Sequence, residues 1–149
     1  MDKDIALLGS LPIERKPGYS LSFCIEIIEP LIARTQKTLK PSFFKRAMGG
    51  ISKDHNRTVV AACNEDLNAV ARQISKVQRV SFDCEDFKRG STLSGFCERL
   101  SGLLLEWRNA ALAFEANTYG SDKRLLIQCN DLMKAIKTME KPVKSLVEQ

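Results

Sequence analysis

The sequence predicts an all-α, single-domain antiparallel bundle of four long helices plus one or two short helices, on three observations. Several segments of about 20 residues repeat apolar side chains at steps of three and four, the spacing of one helix face. Turn-forming residues separate these segments, and only residues 19–27 show strong strand periodicity. The length of 149 residues fits one domain, so 1–149 is assigned to it, with 1–18 as a loosely packed N-terminal arm.

The first long segment, residues 19–39, fits two structures. Apolar and polar side chains alternate from Tyr19 to Ile27, which is the pattern of a half-buried strand. The same segment also fits a helix face, with Pro30 as a kink or as the first turn of a second piece. We favour the helix, because the best partner for a strand would be the weak candidate at 76–82, and a strand at 20–28 stays open as the alternative.

The middle of the chain predicts a short helix and then a long one. Residues 40–50 form the short helix, which Gly49 and Gly50 close. A long helix follows from 54 to about 79. Its apolar face consists of Val60, Cys63, Leu67, Val70, Ile74 and Val77.

Two further long helices complete the prediction. After an acidic connector at 81–91, the repeat of "LSG" places Leu93 and Leu100 one heptad apart, on the core face that also carries Trp107. The last helix is predicted from Ser121, and Pro142 is expected to break or kink it near residue 141.

The face of the third helix that lies opposite its core stripe combines two glycines with two leucines, which is unusual for a solvent-exposed helix face. Each glycine in a helix interior costs about 1 kcal/mol relative to alanine, so a compensating contact is expected on this face. Either another helix of the same chain covers it, in a five-helix fold, or another chain binds it. The candidate interface residues are Gly95, Gly102, Leu105, Asn109, Leu112 and Ala113.

The residues with catalytic or metal-binding chemistry are few and scattered. Five cysteines show no C-x-x-C spacing, and His55 is the only histidine, so no metal site, cofactor or catalytic residue is predicted. Unpaired cysteines are typical of a reducing compartment. The N-terminal sequence has neither a secretory signal nor a membrane span, and we therefore predict a cytoplasmic protein without a membrane partner.

The charge of the chain is mildly positive and uneven. The net charge is +5, and residues 41–80 carry seven basic against three acidic residues. Basic side chains around Phe43 and Phe44 suit a phosphate backbone with stacked bases, or equally a short capping helix with its lysines outward. The candidate basic-surface residues are Lys40, Lys45, Arg46, Lys53, Arg57, Arg72, Lys76 and Arg79.

The stretch "WRNAALAFE" at 107–115 resembles the active-site stretch of HEPN-type ribonucleases, which are helical bundles. Arg108 and Asn109 match the arginine and the polar residue of that motif, but its histidine is replaced by Ala113 or Phe114. The resemblance therefore implies a catalytically dead relative of those enzymes.

The expected function is that of a non-catalytic protein-binding or regulatory module, such as an inhibitor, immunity protein or adaptor. Its partner is another protein or a second copy of the chain, as in a homodimer, and no small-molecule substrate is predicted. A nucleic-acid-binding bundle that uses residues 37–57 is the alternative, and the dead ribonuclease relative is the second alternative.

Overall fold

A computed structural model describes residue 5 and residues 17–40, 53–84 and 86–147; the side chains of residues 53 and 54 are not described. Within these ranges the protein is helical and contains no strand. The helices are α1 (Pro17–Leu39), α2 (Lys53–Ser81), α3 (Phe87–Glu115) and α4 (Ser121–Val147). The prediction of an all-α bundle with four long helices is confirmed for the described chain. The predicted short helix at 40–50 lies outside these ranges, except for residue 40.

The four helices pack in a closed ring. Each helix contacts the next one in the chain, and α1 also contacts α4. Their apolar faces meet in one core, in which the side chains of Leu21, Ile74, Leu100, Trp107 and Leu132 are fully buried. Helices α2, α3 and α4 each present one apolar face to this core, so their opposite faces remain available to solvent.

Helix α1 is a helix throughout, so the alternative of a strand at 20–28 is wrong. Ser20, Cys24, Ile27 and Ile28 are buried, as helical spacing requires, whereas Tyr19 on the would-be strand face is 45% exposed. Pro30 lies inside the helix on its exposed side. The helix begins at Pro17, so the last two residues of the predicted arm belong to it.

Side-chain hydrogen bonds connect α1 with α2 and α3 with α4. Gln73 of α2 donates a hydrogen bond to the hydroxyl of the buried Ser20 near the start of α1, at 3.1 Å. Arg89, in the first turn of α3, donates to the carbonyl oxygen of Leu146 near the end of α4, at 2.6 Å. Positively charged donors at a helix C-terminus also interact favourably with the helix dipole.

Helix α3 begins and ends with well-formed caps. Asp86 takes the N-cap position, with extended backbone, and its carboxylate accepts from the backbone N–H of Arg89 at 3.3 Å. At the other end, Asn117 adopts a φ of 58°, and the N–H groups of Asn117 and Thr118 donate to the carbonyls of Phe114 and Ala113. This is a Schellman motif.

One boundary prediction is wrong, and one of two expected outcomes does not occur. The predicted connector at 81–91 is shorter than expected, because capping by Asp86 starts α3 at Phe87. Of the break or kink expected near residue 141, the break does not occur, since helix α4 continues through the exposed Pro142 to Val147. A proline removes one backbone donor, and a helix tolerates this loss where the freed carbonyl reaches solvent.

Gly90 lies where the end of α2 approaches α3 closely, and this yields a prediction. A Cβ atom at this position would collide with the carbonyl oxygen of Ser81 and would lie 3.2 Å from Cβ of Cys84. Gly90→Ala should therefore lower the free energy of unfolding by about 1 to 3 kcal/mol. Gly95→Ala is the matched control: among the described residues nothing lies within 4 Å of its added Cβ, so it should stabilise by up to about 1 kcal/mol. Urea unfolding of dilute protein measures both, and equal stabilities would contradict the close approach.

Candidate functional site

Helix α3 carries the candidate site on the side opposite its core face. On the core side, Leu93, Leu100 and Trp107 are fully buried, as the heptad repeat predicted. The indole Nε1 of Trp107 donates to Sγ of Cys129 on α4 at 3.3 Å. Because these contacts fix the rotation of α3 about its axis, they also determine which residues face outward.

The outward side is here called the outer face: Ser91, Gly95, Glu98, Gly102, Leu105, Asn109 and Leu112, all exposed. It brings together five of the six candidate interface residues, with the half-buried Ala113 at its margin. Leu105 is 54% exposed and Leu112 is 47% exposed. The alternative in which a fifth helix covers this face finds no support among the described residues, since none of their helices lies over it.

The two glycines of the outer face have no packing role within the described chain. Apart from its chain neighbours and the nearby backbone of its own helix, an added Cβ atom at Gly95 or Gly102 would meet no described atom within 4 Å. Alanine would therefore fit both positions and would favour the helix by about 1 kcal/mol each. The contact expected to compensate for these glycines is thus not an intramolecular one in the described part of the fold.

A groove at the α2–α3 connection extends the outer face, and sequence reasoning missed it. It has a volume of about 340 Å³, and the aromatic rings of Phe82 and Phe87 on it are 74% and 86% exposed. We call it the aromatic groove. It is lined by Ser81, Phe82, Cys84, Phe87, Gly90, Ser91, Ser94, Gly95 and Glu98. The signal was present as two phenylalanines in a segment interpreted as an acidic connector, since exposed aromatic side chains are enriched at protein interfaces.

The thiols have the chemistry of core residues. Burial raises the pKa of Cys24 and of Cys97 from 9.0 to about 12, and that of Cys129 to about 11. The pKa of the buried Cys63 is raised as well, mainly by desolvation. Thiols with such values remain protonated at neutral pH and are poor nucleophiles.

The remaining thiol and the single imidazole are far apart. Cys84 is half-buried and follows the end of α2, whereas the exposed His55 lies in the first turns of the same helix. His55 and Ser81 are 26 positions apart on this helix, which corresponds to about 39 Å at 1.5 Å per residue. These two groups therefore do not form a nucleophile and base pair. Within the described ranges, no three His, Cys, Asp or Glu side chains come together as a metal site.

The candidate basic residues do not form one patch within the described chain. Lys45 and Arg46 lie outside the described residues, and for Lys53 only the backbone is described. Lys40 is exposed beyond α1, and Arg57 is half-buried near the start of α2. The other candidates follow the outward side of α2 about 22 Å or more further along it. They are Arg72, Lys76 and Arg79, all exposed.

Two further cavities lie away from the outer face. A shallow groove of about 340 Å³ between α2 and α3 joins Arg72 to Arg108, with Asn68, Ala71 and Ser75 between them. A cavity of about 590 Å³ lies at the end of the bundle where the α3–α4 connection meets the start of α2. Its lining includes Leu39, Asn56, Arg57, Phe114, Tyr119 and Asp122.

The residues of the ribonuclease-like stretch have separate environments. Arg108 and Asn109 are exposed on α3, whereas Phe114, at one of the two positions where the motif has histidine, packs against the core. The other position, Ala113, is half-buried. The resemblance to the ribonuclease stretch is therefore limited to the exposed side chains of Arg108 and Asn109.

Comparison with protein-family models, curated proteins and solved structures finds no match to this chain. Among the described helices, none combines the length and the apolar composition needed to cross a lipid bilayer. The geometry of the outer face therefore carries the functional argument.

Proposed function

We propose that this protein is a non-catalytic binding module, of the inhibitor, immunity-protein or adaptor kind, that uses the outer face of α3 to bind a protein partner, either a different protein or a second copy of the chain. The observation that carries the proposal is the exposure of Leu105 and Leu112 beside glycines with no packing role. A folded helix that keeps two leucines about half exposed, with two helix-destabilising glycines on the same face, is better explained by a partner than by the monomer.

The energetics favour binding at this face. Both leucines are about half exposed, so their complete burial would contribute roughly 1.5 to 3 kcal/mol in total. The exposed rings of Phe82 and Phe87 extend the apolar area, and aromatic side chains are frequent among residues that dominate binding energy. Glu98 and Asn109 give the face polar groups that can select among partners.

The absence of catalysis in this proposal is supported by the protonated core thiols and by the distance between Cys84 and His55. Buried thiols that stay protonated are poor nucleophiles, and Cys84 and His55 are too far apart to act as a nucleophile and its base. The unpaired thiols also support a reducing compartment such as the cytoplasm.

We also infer that neighbouring helices run antiparallel and that 1–149 forms one domain. The hydrogen bond from Gln73 near the end of α2 to Ser20 near the start of α1 supports the first statement. The short connections at 82–86 and 116–120 support it too, because such connections favour antiparallel neighbours. We further propose that one or two short helices accompany the four long ones.

A matched pair of variants tests the binding function. Tagged wild-type protein, Leu112→Asp and Ile127→Asp are used as baits in an extract of the native cell, and captured proteins are identified by mass spectrometry. Ile127 is 57% exposed on α4, so its substitution introduces the same charge on a different surface. We expect a protein that wild type and Ile127→Asp retain and Leu112→Asp loses. Equal capture by all three folded baits would contradict the proposal.

Nucleic-acid binding is the second candidate, and the groove that joins Arg72 to Arg108 favours it. If this groove binds a phosphate backbone, fluorescence anisotropy with single-stranded RNA should show affinity that falls steeply with salt. Arg72→Glu should then weaken binding, whereas Lys137→Glu, an exposed position on α4, should weaken it less. Salt-independent binding or no binding would contradict this candidate.

A further inference from the structure

We propose that the outer face of α3 binds the same face of a second copy of this chain, with the two α3 helices antiparallel about a two-fold axis between residues 103 and 104. The inference rests on the proposed function, because it names the partner of the surface described above. It follows from which residues oppose each other when the face is paired with itself.

The antiparallel pairing matches small residues with large ones. A two-fold axis at this position sets Gly102 opposite Leu105 of the second copy and Gly95 opposite Leu112 of the second copy. Symmetry repeats both contacts. Each leucine thus faces a position without a side chain, where the backbone approach is closest, and each glycine gains the packing contact that the monomer does not supply.

The polar residues of the face match in the same register. Glu98 lies opposite Asn109 of the second copy, whose amide group can donate to the carboxylate. This pair lies between the two glycine–leucine pairs. Every opposed pair from 95 to 112 therefore joins either a small residue with a large one or a hydrogen-bond donor with an acceptor. A register shifted by one heptad would set Leu105 opposite Gly95 but would leave Leu112 beyond any glycine.

Charges beside the face favour the same orientation. Arg99 and Glu106 are both exposed and lie along one flank of the outer face, one heptad apart. In antiparallel helix pairs, like flanks meet, so Arg99 of each copy comes opposite Glu106 of the other. A parallel pairing would instead oppose glycine with glycine and leucine with leucine, which leaves voids, and it would bring unlike flanks together, so that Arg99 and Glu106 would not meet.

The aromatic groove supplies the hole for the outermost leucine. Ser91, Ser94, Gly95 and Glu98 have the i, i+3, i+4, i+7 spacing of a hole in knobs-into-holes packing, and all four line the groove. In the proposed register the knob is Leu112 of the second copy. The exposed rings of Phe82 and Phe87 lie on the same groove and would be covered with it.

Sedimentation equilibrium of the full chain, from about 1 μM to about 1 mM, tests the proposal over the range of weak and moderate affinities. We expect wild type to shift from one chain mass to two. Leu112→Asp should raise the dissociation constant by about a hundredfold, because symmetry places the substituted side chain in the interface twice, each time as a charge without a partner. Ile127→Asp should leave it unchanged, and circular dichroism should show that both variants are folded. A wild type that stays monomeric throughout would overturn self-association.

A charge exchange tests the register. Arg99→Glu and Glu106→Arg should each raise the dissociation constant by about tenfold, since each turns two attractive contacts into repulsive ones. The double variant should restore the wild-type value. Unchanged association of the single variants, or a double variant no tighter than the singles, would overturn the antiparallel register.

The bait experiment with Leu112→Asp reports separately on other partners. A wild type that is monomeric but still captures a protein through this face would overturn the dimer and retain the binding function.

Discussion

Replacing Trp107 with alanine is expected to lower the free energy of unfolding by about 3 to 5 kcal/mol, the range for truncating a buried large aromatic side chain. Trp107 is fully buried and lies on the core face of α3, and its indole N–H bonds to the sulfur of Cys129. Truncation would leave a large cavity and would also remove this hydrogen bond. Because a domain is stable by only about 5 to 15 kcal/mol, the variant should be close to unfolding at room temperature.

Trp107→Phe is the control for the volume of the side chain. It retains an aromatic ring in the core but loses the N–H donor, so its loss of stability should be much smaller than that of alanine. Urea unfolding followed by far-ultraviolet circular dichroism measures both variants. A loss below about 1 kcal/mol for Trp107→Ala would show that the ring does not fill the core.

Alkaline pH is expected to destabilise the fold through its buried thiols. In the folded protein the pKa values of Cys24 and Cys97 are raised to about 12, whereas the unfolded chain ionises near 9.0. Below pH 9 both states hold the proton, so stability does not depend on these groups. Between about pH 9 and 12 only the unfolded state releases it, and stability falls by about 1.4 kcal/mol per pH unit for each thiol.

The measurement is the slope of unfolding free energy against pH between 9 and 11, under reducing conditions. Lysine and tyrosine titrate in the same range, so the control is the double variant Cys24→Ala/Cys97→Ala. Its slope should be shallower than that of wild type, whatever its stability at pH 7. Identical slopes would mean that these thiols are not desolvated in the folded state.

Helical periodicity was enough to predict α2, α4 and the core face of α3. Each of these helices has a single apolar stripe, and that stripe packs into the core. It left α1 ambiguous, since its apolar residues fit both periods. Burial on several sides of α1 is the reason: Ile25, Ile27 and Ile28 are all buried, so an almost continuous apolar run results. Such runs do not distinguish a helix from a strand by pattern alone.

The remaining errors came from contacts that spacing does not encode. The start of α3 at Phe87 depends on a carboxylate cap, and the close approach at Gly90 depends on the path of α2. The outer face was found from its glycines, but the aromatic groove was missed because Phe82 and Phe87 belong to no periodic stripe. The basic residues are separated because positions far apart on one helix are also far apart in space.

We propose that α3 packs into the core with one face and binds a partner with the other. Paired leucine substitutions on its two faces test this most directly: Leu104, which is 4% exposed, and Leu112, which is 47% exposed. Urea unfolding of dilute Leu104→Asp and Leu112→Asp is the measurement. We predict that Leu104→Asp unfolds the protein, because it buries an unpaired charge, and that Leu112→Asp changes stability by no more than about 1 kcal/mol. Equal destabilisation by the two substitutions would contradict the two-faced helix.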